Sequence, residues 1–246
     1  FKQVNTFNKM FKKPVLHIRD YYPSKENPAS SPWVYDQVKD LLDRNIDTFV
    51  ISPTPYFPKF LRKKRRFYLY TFPNENVTEY KGTSVVRPGF IKVPGNNFLS
   101  FNFKSIANSI LKASKKQNGF SLIHAHFGQN GFAGISLKKK LNIPLITSFY
   151  GYDSGRLGSV FKPYYKQLAK YGDLFLALSE DMKKDLINLG FPKEKIRIHH
   201  LGINPGQFTP KDSLKDIFVF LVVARLDESK GVQDVINSFN KIKHKK

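Results

Sequence analysis

Short apolar runs alternate with amphipathic helical stretches along most of this chain, and no other feature restricts its fold so strongly. Apolar segments at 14–18, 49–51, 122–125, 145–147, 174–178 and 196–198 are the right length for strands buried on both faces. Between them, residues 32–44, 103–117, 132–141 and 161–170 read as helices. The first has Pro32 at its start and Val34, Val38, Leu41 and Leu42 along one side. This alternation predicts an α/β fold, a Rossmann-like doubly wound parallel sheet wrapped by helices. Residues 53–95, rich in proline, aromatic and basic side chains, predict only short elements. The best punctuated helix follows Ser179, whose hydroxyl can cap it. Glu180 and Asp181 suit the positive end of its dipole, Met182, Leu186 and Leu189 form its apolar face, and Gly190 then Pro192 end it.

After Gly202 the chain passes through a connector with proline and aspartate and restarts with an apolar run at 217–224. A turn at 227–231 leads into a helical stripe of Val232, Val235, Ile236, Phe239 and Ile242. One strand and one helix cannot cover a core. The expectation is one domain over 1–213 and, over 214–246, the first strand and helix of a truncated second Rossmann-like domain. No apolar run approaches the ~18 residues of a membrane-spanning helix. The N-terminus lacks the apolar core and cleavage site of a secretory signal, and it opens on Phe1, as a chain with a missing start would. Cysteine is absent, which removes thiolate chemistry and makes a reducing cytoplasm the expected compartment.

A net charge of +22 predicts attraction to polyanions: nucleic acid, anionic lipid or phosphorylated substrates. The cations are spread widely, dense only at 62–66, 138–140 and the terminal KIKHKK. None of these runs is interleaved with the aromatics of a single-strand binding platform, so nucleic acid is disfavoured as a partner. The run at 62–66 has Phe57, Phe60, Phe67, Tyr68 and Tyr70 alongside. Such a composition suits peripheral docking on an anionic inner membrane face, at about 1 kcal/mol per basic residue. It equally suits a solvated loop whose aromatics are core.

The restart segment FVFLVVARLDESKGVQDVI carries the most specific chemistry. An apolar run delivers Arg225, then Lys230 and Gly231, to the mouth of a helix. Backbone donors, helix dipole and two cations directed at one small volume make a phosphate site. Arg binds phosphate bidentately and Lys acts as a point charge. From the residues alone, an ordinary solvated turn with two surface cations is an equal alternative.

This segment resembles the start of the donor domain in retaining, GT-B-fold glycosyltransferases of family 4. Four further stretches resemble the same family in the same order: LIHAHFGQNGFAG (122–134), ITSFYGYD (146–153), LFLALSEDMKKDL (174–186) and IRIHHLGINPGQF (196–208). The resemblance implies transfer of a hexose from a nucleotide diphosphate sugar to a hydroxyl with retention of configuration. The acceptor it implies is a cell-surface polysaccharide or a lipid-linked glycan. It assigns the donor diphosphate to Arg225, Lys230 and Gly231, and the acceptor side to Tyr150, Asp153 and His126 as catalytic candidates. No cofactor or metal is implied, because the cations themselves neutralise charge on the leaving diphosphate.

Two departures from the family pattern stand out. Many members carry His where this chain has Tyr150, and a tyrosine is a poor base at neutral pH, so its role would be positional. Ser31, a candidate loop contact, stands near an expected glycine in NPASSPW. His124 and His126 are two apart on a strand and face the same side. Two imidazoles on one face can bind zinc, but no cysteine exists and no nearby carboxylate offers a third ligand, so no metal site is expected. The spacing G-x-x-G-x-x-G at Gly128, Gly131 and Gly134 is not the dinucleotide fingerprint and predicts close helix packing instead. The alternative functions are a GT-B phosphorylase or epimerase, and a basic non-enzymatic module on membrane or nucleic acid.

Overall fold

In the computed structural model the described residues are 12–56, 77–155, 158–209, 219–224 and 226–242, and they fall into two units, Phe1–Gly202 and Ile203–Lys246. The first unit runs β1 (Val15–Ile18), α1 (Pro32–Asp43), β2 (Thr48–Ile51), β3 (Thr54–Tyr56), β4 (Val77–Tyr80), β5 (Thr83–Val86) and β6 (Gly89–Ile91). It continues through α2 (Leu99–Ser114), β7 (Leu122–His126), α3 (Gly128–Leu141), β8 (Leu145–Ser148), α4 (Gly158–Tyr171), β9 (Leu174–Ala177), α5 (Glu180–Asn188) and β10 (Ile196–Ile198). Eight strands form one sheet in the order β10-β9-β8-β7-β1-β2-β5-β4. Every neighbouring pair is parallel except β4 with β5. β3 and β6 form a separate parallel pair.

Alternation along the strands splits the apolar residues between two cores. Leu16, Ile18, Ile51, Val86, Ile123 and Ala125 belong to the larger one, which the apolar sides of α2, α3 and α4 complete. Val50 and Val85, one residue out of phase, belong to a smaller core with Val34, Tyr35 and Val38 of α1. The same phase places His17, His124 and His126 on the α1 side of the sheet. Helix α3 lies close on β8 because its glycines permit it. A Cβ on Gly128 would stand 2.4 Å from Tyr165 Oη, and one on Gly131 2.5 Å from Thr147 Oγ1. The glycine spacing is therefore a packing device, as the sequence implies. Ser179 caps α5 as expected, accepting a hydrogen bond from the Met182 amide at 3.1 Å.

The second unit contains a 3₁₀ turn, Glu228–Lys230, and α6 (Val232–Asn240). The strand expected over 217–224 does not form in its described part: residues 219–224 are irregular and exposed. A strand is defined by its ladder, and none of the described residues of this unit supplies one. The cationic run at 62–66 and its flanking aromatics lie outside the described residues. No helix among the described residues is long and apolar enough to cross a membrane.

Candidate active site

The carboxyl ends of β1, β7 and β8 meet at one place, where open parallel sheets bind their ligands. β1 and β7 pair with His17 opposite His124, and β7 and β8 pair with His126 opposite Ser148. A hydrogen-bonded chain follows from that register. His17 Nδ1 lies 3.1 Å from His126 Nε2, and His126 Nδ1 lies 2.7 Å from the Tyr150 hydroxyl. Gln37 of α1 donates weakly to the same hydroxyl at 3.5 Å, and Trp33 of α1 packs on the Tyr150 ring. His124 Nε2 lies 2.8 Å from Ser148 Oγ. Burial lowers the pKa of all three imidazoles, His124 to about 4, so they are neutral at pH 7. Burial also raises the Tyr150 phenol to about 12. It remains protonated and able to donate.

Beside this chain sits a buried cation. Arg19 directs Nε and one terminal nitrogen to Ser31 Oγ at 3.0 and 2.8 Å, pairs with Asp20, and lies 4.1 Å from the centroid of the Phe127 ring. Asn130 completes the group by donating to Asp20 Oδ1 at 2.7 Å and to the His126 carbonyl at 2.7 Å. Phe127 adopts φ 73° and ψ 145°, a conformation nearly confined to glycine and carrying strain of about 1–3 kcal/mol. It is held there by Arg19 on its ring and by the Tyr150 ring, whose centroid is 4.7 Å away.

Asp153 is fully buried. Its Oδ1 accepts from the Tyr150 amide at 2.9 Å and its Oδ2 from the Gly128 amide at 2.8 Å. Burial raises its pKa, against the pull of those amides and of Arg19. It ties the turn after β8 to the first turn of α3, and so fixes the backbone that carries Tyr150. Of the three residues expected on the acceptor side, Tyr150 is partly exposed, whereas His126 and Asp153 are wholly buried behind it. Ser31 has φ 53°, the left-handed region that favours glycine, and its hydroxyl serves Arg19 rather than capping α1. That φ gives a physical reason for a glycine at such a position.

His17, Arg19, Gln37 and Phe127 were not singled out by the sequence. Arg19 and Asp20 follow directly after the first strand, and the carboxyl-end rule alone would have pointed to them. His17 gave no such signal, because it joins the cluster only through the register of strands more than a hundred residues apart.

In the second unit, Lys230 closes the 3₁₀ turn and Gly231, at φ 63°, is the N-cap of α6. Gly231 has no side chain to cap that helix, and Lys230 is exposed. Arg225 lies outside the described residues.

Residues 30–207 match Glycosyltransferase Family 4. The chain belongs to that family. Among its relatives, TuaC of Bacillus subtilis (strain 168), named for teichuronic acid biosynthesis, is 26% identical over 82% of this chain and 53% of its own length. AmsK of Erwinia amylovora, an amylovoran biosynthesis glycosyltransferase, is 28% identical over 83% of this chain and 56% of its own. The family 4 chain thus spans about half the length of these curated relatives. A sucrose-phosphate synthase from Thermosynechococcus elongatus superposes with a TM-score of 0.61 at 14% identity, over 81% of this chain and 51% of that one. Anabaena HepE, solved with UDP and glucose, gives 0.51 at 12% identity, over 81% and 47%. These likenesses establish the GT-B Rossmann-like fold.

Proposed function

We propose that this family 4 chain forms the acceptor side and the first donor-side elements of a glycosyltransferase. That enzyme transfers a hexose from a nucleotide diphosphate sugar to a hydroxyl with retention, in the synthesis of a cell-surface polysaccharide or glycolipid. The observation that carries the reading is the opening of α6. Lys230 and Gly231 stand at a helix N-terminus whose cap residue is a glycine and offers no capping side chain, with an exposed cation beside the positive end of the dipole. Family membership, the biosynthetic names of TuaC and AmsK, and the UDP held by HepE support the donor class. In this reading Arg225 and Lys230 neutralise the diphosphate as it leaves, without a resident metal. Tyr150 is the group that touches the acceptor, donating a hydrogen bond from a phenol that stays protonated. His126 orients its hydroxyl and Asp153 its backbone, so both act through Tyr150.

The protein would work on the cytoplasmic side, and the 62–66 run would draw it to an anionic bilayer that presents a lipid-linked acceptor. The test is release of nucleoside diphosphate from a sugar nucleotide by the complete protein, with product analysis by mass spectrometry. Arg225→Ala and Lys230→Ala should each lower turnover by roughly 100-fold or more, the scale on which one charge-stabilising donor acts. Turnover unchanged in both variants would overturn the assignment of the diphosphate site. A sugar phosphate or an epimerised nucleotide sugar as product would replace the transferase with a phosphorylase or an epimerase.

A further inference from the structure

We propose that His17, His124 and His126 form a binding site for a borderline transition-metal cation of the Zn²⁺ class. The expectation of no metal turned on finding only two histidines on one strand, and β1 supplies the third. One ring nitrogen from each of the three lies within 4.8 Å of the others. His17 Nδ1 and His126 Nε2 are already 3.1 Å apart. Two ligands on a tetrahedral ion with bonds of 2.0–2.1 Å stand about 3.3 Å apart, so the spacing of this pair already fits, and the two rings have to turn their lone pairs from each other toward the ion. The third imidazole, His124, is the partly exposed member of the three and must close the remaining gap.

Three further observations favour a cation over a purely structural contact. His17 Nε2 is buried with no hydrogen-bond partner among the described residues, so no contact on that nitrogen holds the ring against turning toward an ion. His126 and His124 each have one nitrogen held by a hydroxyl, of Tyr150 and of Ser148. Outer partners of that kind fix the ring orientation of metal-bound histidines. The nearest cation, Arg19, is already paired with Asp20 and stacked on Phe127. A donor set of imidazoles alone, without carboxylate or thiolate, selects Zn²⁺, Co²⁺, Ni²⁺ or Cu²⁺ over Mg²⁺ or Ca²⁺.

Binding requires no net proton loss from the neutral pair. The proton between His17 and His126 moves to a far ring nitrogen. With the ion on His126 Nε2, the proton on Nδ1 donates to the Tyr150 oxygen, which leaves the phenolic hydrogen directed elsewhere. The site shares His126 with the scaffold under Tyr150, but ion binding is argued from the three imidazoles alone and does not rest on the proposed transfer chemistry.

The test uses the complete chain, stripped with chelator, titrated with Zn²⁺ by calorimetry and examined by X-ray absorption after loading with Co²⁺ or Zn²⁺. The expected result is one ion per chain with three imidazole nitrogens at about 2.0–2.1 Å. His124→Ala should weaken binding by more than the roughly 10–100-fold that follows loss of an outer-shell partner. The control replaces both exposed histidines that follow β10, His199→Ala with His200→Ala, of which His199 acts on His124 electrostatically, and it should weaken binding far less than His124→Ala. Absorption on the unaltered protein reads the coordination directly, whatever the variants do to folding. No stoichiometric binding at millimolar Zn²⁺, a first shell without imidazole, or loss of binding only in the His199/His200 variant would each overturn the proposal.

Discussion

Two helices in this protein begin in the same way and are used differently. α1 and α6 both have a left-handed N-cap, Ser31 at φ 53° and Gly231 at φ 63°; the Ser31 hydroxyl does not bond to its helix, and Gly231 has no side chain to do so. Each has a cation beside its first turn. At α1 the cation is Arg19, buried, bonded to the cap residue itself, paired with Asp20 and stacked on Phe127. At α6 it is Lys230, exposed to solvent. The first mouth has turned its electrostatics inward and become part of the scaffold under Tyr150. The second presents its charge outward. A helix N-terminus with a cation is therefore not in itself a ligand site, and what distinguishes the two is whether the protein has already supplied the counter-charge.

The largest expected difference between the two regions is in acid. Below its unfolded pKa near 6.5, His124 binds a proton in the unfolded chain, while in the folded protein it stays neutral down to about 4. The unfolded state therefore holds more protons in that window, so stability is full above about pH 6.5 and falls as pH drops toward 4. His124 alone should remove on the order of 3 kcal/mol across that range. His17 and His126, also lowered by burial, act in the same direction. Denaturant titrations from pH 7.5 to 4 should show the loss in the first unit. A flat profile would mean that the histidine chain is solvated, and the contrast between an internal and an external site would fail.

A smaller effect comes from the two cations themselves. Arg19→Leu removes charge-assisted bonds to Ser31 and the pair with Asp20, and such bonds contribute about 1.5–3 kcal/mol. A loss of about 2–3 kcal/mol in unfolding free energy is expected. Lys230→Ala should leave stability unchanged and weaken only the donor-dependent reaction. Equal stability losses in the two variants would erase the distinction between the mouths.

Smaller again is Ser31→Gly, in which two effects compete. Glycine relieves the left-handed backbone by roughly 1–2 kcal/mol. It also removes the hydroxyl that accepts from two Arg19 nitrogens, and hydrogen bonds to a charged group contribute about 1.5–3 kcal/mol. The expected net loss is about 1 kcal/mol, read as a shift in the denaturation midpoint. A gain would show that the Arg19 contact contributes little.

Much of this fold could be read from the sequence, because parallel strands buried on both faces leave unmistakable apolar runs, and glycine, proline and Ser179 mark the ends between them. All six strands expected in the first unit form, with ends shifted by a residue or so. The apolar run at 217–224 forms no strand in its described part, 219–224, for the complementary reason. An apolar run states that a strand could be buried there, whereas a strand exists only where a neighbour completes its hydrogen bonds. The candidate site divides in the same way. Tyr150, Asp153 and His126 could be named from local motifs, but not that two of them lie behind the third. His17 joins them through strand register, a long-range fact that no window of sequence contains, whereas Arg19 directly follows the first strand and was open to the carboxyl-end rule.

The last and most local effect belongs to Gly231. At φ 63° an alanine there costs roughly 1–2 kcal/mol locally. Its Cβ would stand 3.3 Å from Asp234 Oδ2, a carboxylate on a side chain that can turn aside, so sterics add little. The strain falls on the turn that opens α6, whose Asp234 and Val235 amides bond to the Gly231 carbonyl at 3.0 and 3.2 Å. Gly231→Ala should therefore speed hydrogen exchange at those two amides while the unfolding of the first unit is unchanged. If the proposed diphosphate site is right, the same variant also weakens donor binding, because the helix amides lose their fixed direction. Exchange rates that stay constant would show that α6 opens by a different turn, and the likeness between the two helix mouths would then fail.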